Sequence, residues 1–170
     1  SSMTTADVAA RLVQPATAGT RGRYVDVLEA SDAGLVNVFV CHPWAMVFAE
    51  LVSCILSVVH EDTYVWLDIF AVRQWPGNTV DRDMSKVISA ASSLLLCSPH
   101  NESVVRMSMS DAIAKKAPRS ANFNCAFFRL WCVHELTTAL KQAKPVVILV
   151  GEASMNASGA IRFDPSVTMM

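Results

Sequence analysis

The chain has 170 residues, a formal net charge of −1, 52% hydrophobic residues and 17% charged ones. That length suits one domain with a substantial core. Scattered Lys and Arg argue against a nucleic-acid partner, and Glu, His, Asp or Ser interrupts every apolar run before it could cross a bilayer.

In chain order, Ser1-Ser2 before Met3 reads as the remnant of an expression tag, and residues 4–34 show only weak periodicity. Residues 1–34 are therefore expected as an N-terminal arm or ordered loop, ahead of a domain over residues 35–170. A first strand is expected at residues 36–41. In residues 44–59, Glu50, Ser53 and Ser57 are spaced by three and four, which marks one polar face of a helix. A second strand is expected at residues 64–69, and Trp75-Pro76-Gly77-Asn78 is a turn by its residue types. Met84, Val87, Ile88 and Ala91 repeat at helical spacing behind Asp81 and Asp83, acids suited to a helix N-terminus. Strands at residues 93–97 and 145–150 flank a long connection. It contains an insertion at about residues 100–124, with a short helix near 110–116, and then a helix over residues 130–142 ending close to Lys141 and Lys144.

The four strand-like runs are apolar enough to be buried on both faces, as in a parallel sheet. Alternating with helices, they define an α/β fold with right-handed crossovers and helices on both sides of the sheet. Five cysteines, Cys41, Cys54, Cys97, Cys125 and Cys132, form no CxxC pair, and their odd count points to reduced thiols. With no basic segment leading into an apolar core at the start, the expected compartment is the cytosol. The triplets beginning at Asn101 and Asn156 are discounted as glycosylation sites for the same reason.

In open parallel sheets, ligands bind beyond the carboxyl ends of the strands. That rule selects Cys41, His42 and Trp44 after the first strand, Asp68, Phe70, Arg73 and Gln74 after the second, and Ser98 and His100 after the third. Glu135 joins them if the last helix starts at the same rim, and Trp131, four residues away, shares its helical face. A carboxylate beside an indole sits in a low-dielectric place that raises its pKa or sets it against a developing cation. The plainer alternative makes Trp131 a core anchor and Glu135 a solvated helix residue. His42 has no second ligand at metal spacing, so no metal is expected. Cys41 and His42 are neighbours on a strand and point to opposite faces, which suits a nucleophile–base pair poorly. Neither GxGxxG nor GxxxxGK[ST] occurs, which disfavours dinucleotide dehydrogenases and P-loop enzymes.

These residues resemble the TIR (Toll/interleukin-1 receptor) domain family. Phe39-Val40-Cys41-His42-Pro43-Trp44 is similar to the first TIR strand and its loop, and Val65-Trp66-Leu67-Asp68 to the second strand. Pro76-Gly77 falls where that family's BB loop turns, and Trp131-Cys132-Val133-His134-Glu135-Leu136 resembles its WCxxEL helix start. The likeness covers residues 36–150 and is closest to divergent TIR-like sequences. It implies a flavodoxin-like three-layer sandwich around a central parallel sheet. It also implies either hydrolysis of NAD⁺ at the nicotinamide–ribose bond or signalling by homotypic self-association without catalysis. NAD⁺ enters as a substrate, and no cofactor is implied.

The family's catalytic glutamate carries over to Glu135. Trp131 and Trp44 would stack on a base, Phe70 and Arg73 would close the site from the BB-like loop, and Cys132, His42, Asp68 and Ser98 would line it. A carboxylate open to a rim cleft would favour catalysis, and a buried or salt-bridged one the self-associating module. A third option is a nucleoside deoxyribosyltransferase-like enzyme, whose glutamate attacks the sugar covalently. The sequence departs from the family pattern at Phe127-Phe128-Arg129-Leu130, where serines are usual, and at Cys41. The tail, residues 151–170, shows no convincing helix-strand-helix. The family's final strand and helices are thus expected to be absent or replaced, and an incomplete sheet would leave an apolar edge.

Overall fold

The computed structural model describes residues 3–106, 110, 118–157 and 161–169. Four parallel strands, β1 (Val38–Cys41), β2 (Val65–Trp66), β3 (Ser93–Pro99) and β4 (Val146–Met155), and an antiparallel β5 (Ile161–Met169) form one sheet in the order β2-β1-β3-β4-β5. Alternation along the strands divides the core. Phe39, Cys41, Leu94 and Leu96 face one side of the sheet, and Val40, Leu95, Cys97 and Leu149 face the other.

Helices cover both faces. Residues 5–16 run as a continuous helix, α1, with a π-helical segment at Ala9–Val13. The others are α2 (Phe48–Leu56), α3 (Met84–Ala90) and α4 (Leu130–Lys141). In α2 Leu51, Cys54 and Ile55 are buried against one sheet face, while Glu50 and Ser53 of the expected polar face are half-buried, the Ser53 hydroxyl donating to the Ile161 carbonyl at 3.5 Å. Met84 and Ile88 of α3 and Cys132 and Ala139 of α4 pack on the opposite face. Asp83 caps α3 by accepting from the Lys86 amide at 3.4 Å. All five cysteines are free and buried. Among the described residues, no helix is long and apolar enough to cross a membrane.

Three expectations need correction. The supposed N-terminal arm is α1. Thr4 and Asp7 form a capping box, with the Thr4 hydroxyl accepting from the Asp7 amide at 3.2 Å and the Asp7 carboxylate accepting from the Thr4 amide at 3.0 Å. Val8, Ala9 and Val13 then bury themselves against Ile69. The second strand is only two residues long, because after Leu67 the chain turns into the helical segment Asp68–Ala71.

The sheet edge beyond residue 150 is not bare. β4 continues to Met155, and β5 returns along it with Phe163 packed into the core. At the register shift between Val150 and Gly151, the strands approach so closely that a Cβ on Gly151 would lie 2.4 Å from the Asp164 carbonyl oxygen, so only glycine fits. In the connection after β3, helical turns occupy Glu102–Val105 and Arg119–Asn124. The short helix expected near residues 110–116 lies, apart from Ser110, outside the described residues.

Candidate active site

β1 is flanked by β2 and β3, and the connections leaving these strands run to opposite faces of the sheet. A crevice must therefore open at the strands' carboxyl ends. A cavity of about 260 Å³ lies there, lined by His42 and Trp44 after β1, Asp68, Gln74, Asn78 and Arg82 after β2, and Arg129, Trp131, Cys132 and Glu135 at the start of α4. Val40, Val72 and Met84 supply its apolar floor.

The N-terminal helix braces this rim. The Thr5 and Ala6 amides donate to the Met46 and Trp44 carbonyls at 2.9 and 3.0 Å, and the Gln14 side chain donates to the Gln74 carbonyl at 2.8 Å. The Trp75 indole in turn donates to the Thr17 hydroxyl at 3.0 Å. Thus α1 holds both loops that carry cavity residues. In the loop after β2, Gly77 takes φ 90°, the left-handed conformation that its turn requires. Arg73 spans the loop's base, its Nε donating to Asp81 Oδ2 at 2.6 Å.

Glu135 is only 8% exposed, faces the cavity, and has no ion-pair partner among the described residues. Burial, assisted by the negative charge of Asp68 and opposed by a hydrogen bond from Cys41, raises its pKa to about 7. Behind it, the Cys132 thiol donates to the His42 carbonyl at 3.5 Å, and Cys41 approaches the Cys132 carbonyl at 3.9 Å. Burial also pushes the Cys41 thiol up.

The Trp44 indole N–H donates to Asp68 Oδ2 at 2.5 Å, which fixes the ring on the cavity wall. Asp68 Oδ1 and His42 Nε2 are buried without partners among the described residues. Burial lowers the His42 pKa, so the ring is a neutral imidazole with a free polar atom. Unpaired buried polar atoms of this kind are costly unless a ligand or water satisfies them.

Seven residues expected at the site, His42, Trp44, Asp68, Gln74, Trp131, Cys132 and Glu135, thus come together around one cavity. Cys41, Phe70, Arg73, Ser98 and His100 do not line it. The Asp68–Ala71 turn carries Phe70 away to pack on Tyr24 and Phe48, with ring centroids 5.2 and 6.2 Å apart. Arg73 is engaged by Asp81. Ser98 is fully buried, and its hydroxyl accepts from the Ala126 amide at 3.2 Å. Sequence reasoning missed Arg82 and Arg129 as cavity cations, since neither lies at a strand end.

Trp131 is 53% exposed, so it is a rim residue rather than a core anchor. Glu135 combines the two outcomes that were to separate catalysis from a silent module: it is buried, yet it has no ion-pair partner among the described residues and faces a cavity. No protein-family model, curated protein or solved structure matches the chain.

Proposed function

We propose that this chain is a TIR-like domain that hydrolyses NAD⁺ at the nicotinamide–ribose bond, with Glu135 as its catalytic carboxylate. The observation that carries the reading is a carboxylate without an ion-pair partner among the described residues, facing a cavity at the carboxyl ends of the parallel strands. The strand order 2-1-3-4-5 supports a flavodoxin-like arrangement, although the fifth strand runs antiparallel.

The chemistry fits the charges. Nicotinamide leaves as a neutral base from a cationic pyridinium, so it needs no proton from the protein. One carboxylate beside the ribose stabilises the oxocarbenium-like transition state, whereas ordinary glycosidases need two because their leaving groups are poor. Glu135 acts in its ionised form, and a bound pyridinium favours that form. Trp44 and Trp131 offer flat faces for the ring, and Arg82 and Arg129 bring positive charge to the same cavity. At about 260 Å³ the cavity is at the lower end for ligand sites, which span roughly 300–1,000 Å³. It suits the nicotinamide–ribose end, with the remainder of NAD⁺ lying along the open rim.

A second reading, a non-catalytic module acting by homotypic self-association, is favoured by exposed apolar side chains on either side of Arg129 in the chain. Leu130 is 82% exposed and Phe127 43%. The two readings separate by assaying nicotinamide release from NAD⁺ with concentrated protein, free in solution and clustered on a surface. The hydrolase reading expects release in at least the clustered state. Silence in both states would leave the self-associating module.

A further inference from the structure

The structure brings together three side chains whose donor atoms suit a metal better than they suit one another. Cys41 Sγ on β1, Cys132 Sγ and a Glu135 carboxylate oxygen on α4 all lie within 4.8 Å of one another, and all three residues are buried. We propose that Cys41, Cys132 and Glu135 form a binding site for a thiophilic d¹⁰ cation, Zn²⁺ being the representative, and that metal and NAD⁺ exclude each other. The exclusion rests on the function proposed above; the metal site does not.

Two sulfurs and one carboxylate make a borderline-soft donor set. Zn²⁺ accepts it in tetrahedral geometry, whereas Mg²⁺ and Ca²⁺ require oxygen donors. With Zn–S near 2.3 Å and Zn–O near 2.1 Å, tetrahedral ligands sit roughly 3.5–3.8 Å apart. A contraction of about 1 Å from the observed limit would reach that spacing. Cys132 and Glu135 line the cavity while Cys41 stands behind them, so the fourth position opens towards the cavity and takes water.

On binding, each thiol loses its proton to solvent as its S–Zn bond forms, and any proton on Glu135 leaves likewise. The three anionic ligands and the dication sum to one negative charge, in a cavity that Arg82 and Arg129 also line. A coordinated Glu135 no longer presents a free carboxylate to the ribose.

The test uses Co²⁺ as a spectroscopic substitute added to chelator-treated, dialysed full chain. The site predicts a saturable thiolate-to-cobalt charge-transfer band at one equivalent, displaced by Zn²⁺. Cys132→Ser should weaken the band and lower affinity about tenfold or more, and Cys54→Ser, outside the cluster, should leave it intact. Should a variant unfold, Zn²⁺ protection of Cys132 from alkylation in the wild-type chain, read by peptide mass spectrometry, decides instead. Absence of the band, or a band indifferent to Cys132→Ser in folded protein, overturns the site. Nicotinamide release is measured on the same samples. At least a tenfold fall at saturating Zn²⁺ supports the exclusion, and undiminished release overturns it while leaving the site. A band in protein that never hydrolyses NAD⁺ would sink the hydrolase reading alone.

Discussion

Glu135 stores a free-energy cost that can be read by titrating stability. Its ordinary pKa of 4.5 is raised to about 7 in the folded protein. Between those values the folded state holds more protons on this group than the unfolded state does. Its contribution is therefore fully favourable below about pH 4.5 and is lost as pH rises towards 7. Glu135→Gln, a neutral mimic of the protonated acid, should remove that slope. Denaturant unfolding of chelator-treated wild type and variant should show their stability difference growing across the window, by up to roughly 3 kcal/mol. A constant difference would mean that Glu135 is solvated. Trp44 offers a second test. Its indole is the sole side-chain partner of the Asp68 carboxylate among the described residues. Trp44→Phe should thus cost about 1–3 kcal/mol in thermal or denaturant unfolding, beyond the lost ring area, because both carboxylate oxygens would then lack partners.

Individual elements differed in how plainly they were written. β1, β3 and β4 were legible because strands buried on both faces are continuous apolar runs, α2 and α3 because their polar or apolar positions keep helical spacing, and α4 because it is rich in helix formers. α1 was obscured by small residues and by its π-helical segment, which shifts the period. Its capping residues Thr4 and Asp7 were the signal to weigh. β5 was hidden by Pro165, which belongs at the register shift opposite Gly151. That pairing makes a prediction: Gly151→Ala should destabilise the protein by about 1–3 kcal/mol. Hydrogen exchange should quicken first in β5 and the adjoining half of β4. Uniform quickening, or none, would contradict the close approach seen there.

The rim of the sheet was legible as a whole because topology, rather than any motif, puts ligands there. His42, Trp44, Asp68, Trp131, Cys132 and Glu135 followed from strand ends and one helix face. What the rule could not give was side-chain direction after each strand. β2 ends before Leu67, which sends Phe70 and Arg73 elsewhere. It also could not give partners distant in sequence. Cys41 and Glu135 meet only because α4 packs on β1, so the metal-type cluster was invisible to a search by spacing. The proposed hydrolase and the proposed metal site therefore share one carboxylate, and the behaviour of the molecule turns on what Glu135 does when NAD⁺ arrives.

The most direct measurement is the rate of nicotinamide release from NAD⁺ by metal-free protein, wild type against Glu135→Gln, with folding verified by circular dichroism. Loss of a carboxylate aimed at the developing cation should slow release by about 10²–10³-fold, equivalent to ~2.7–4 kcal/mol. Equal rates in the two proteins would contradict the assignment of Glu135 to catalysis.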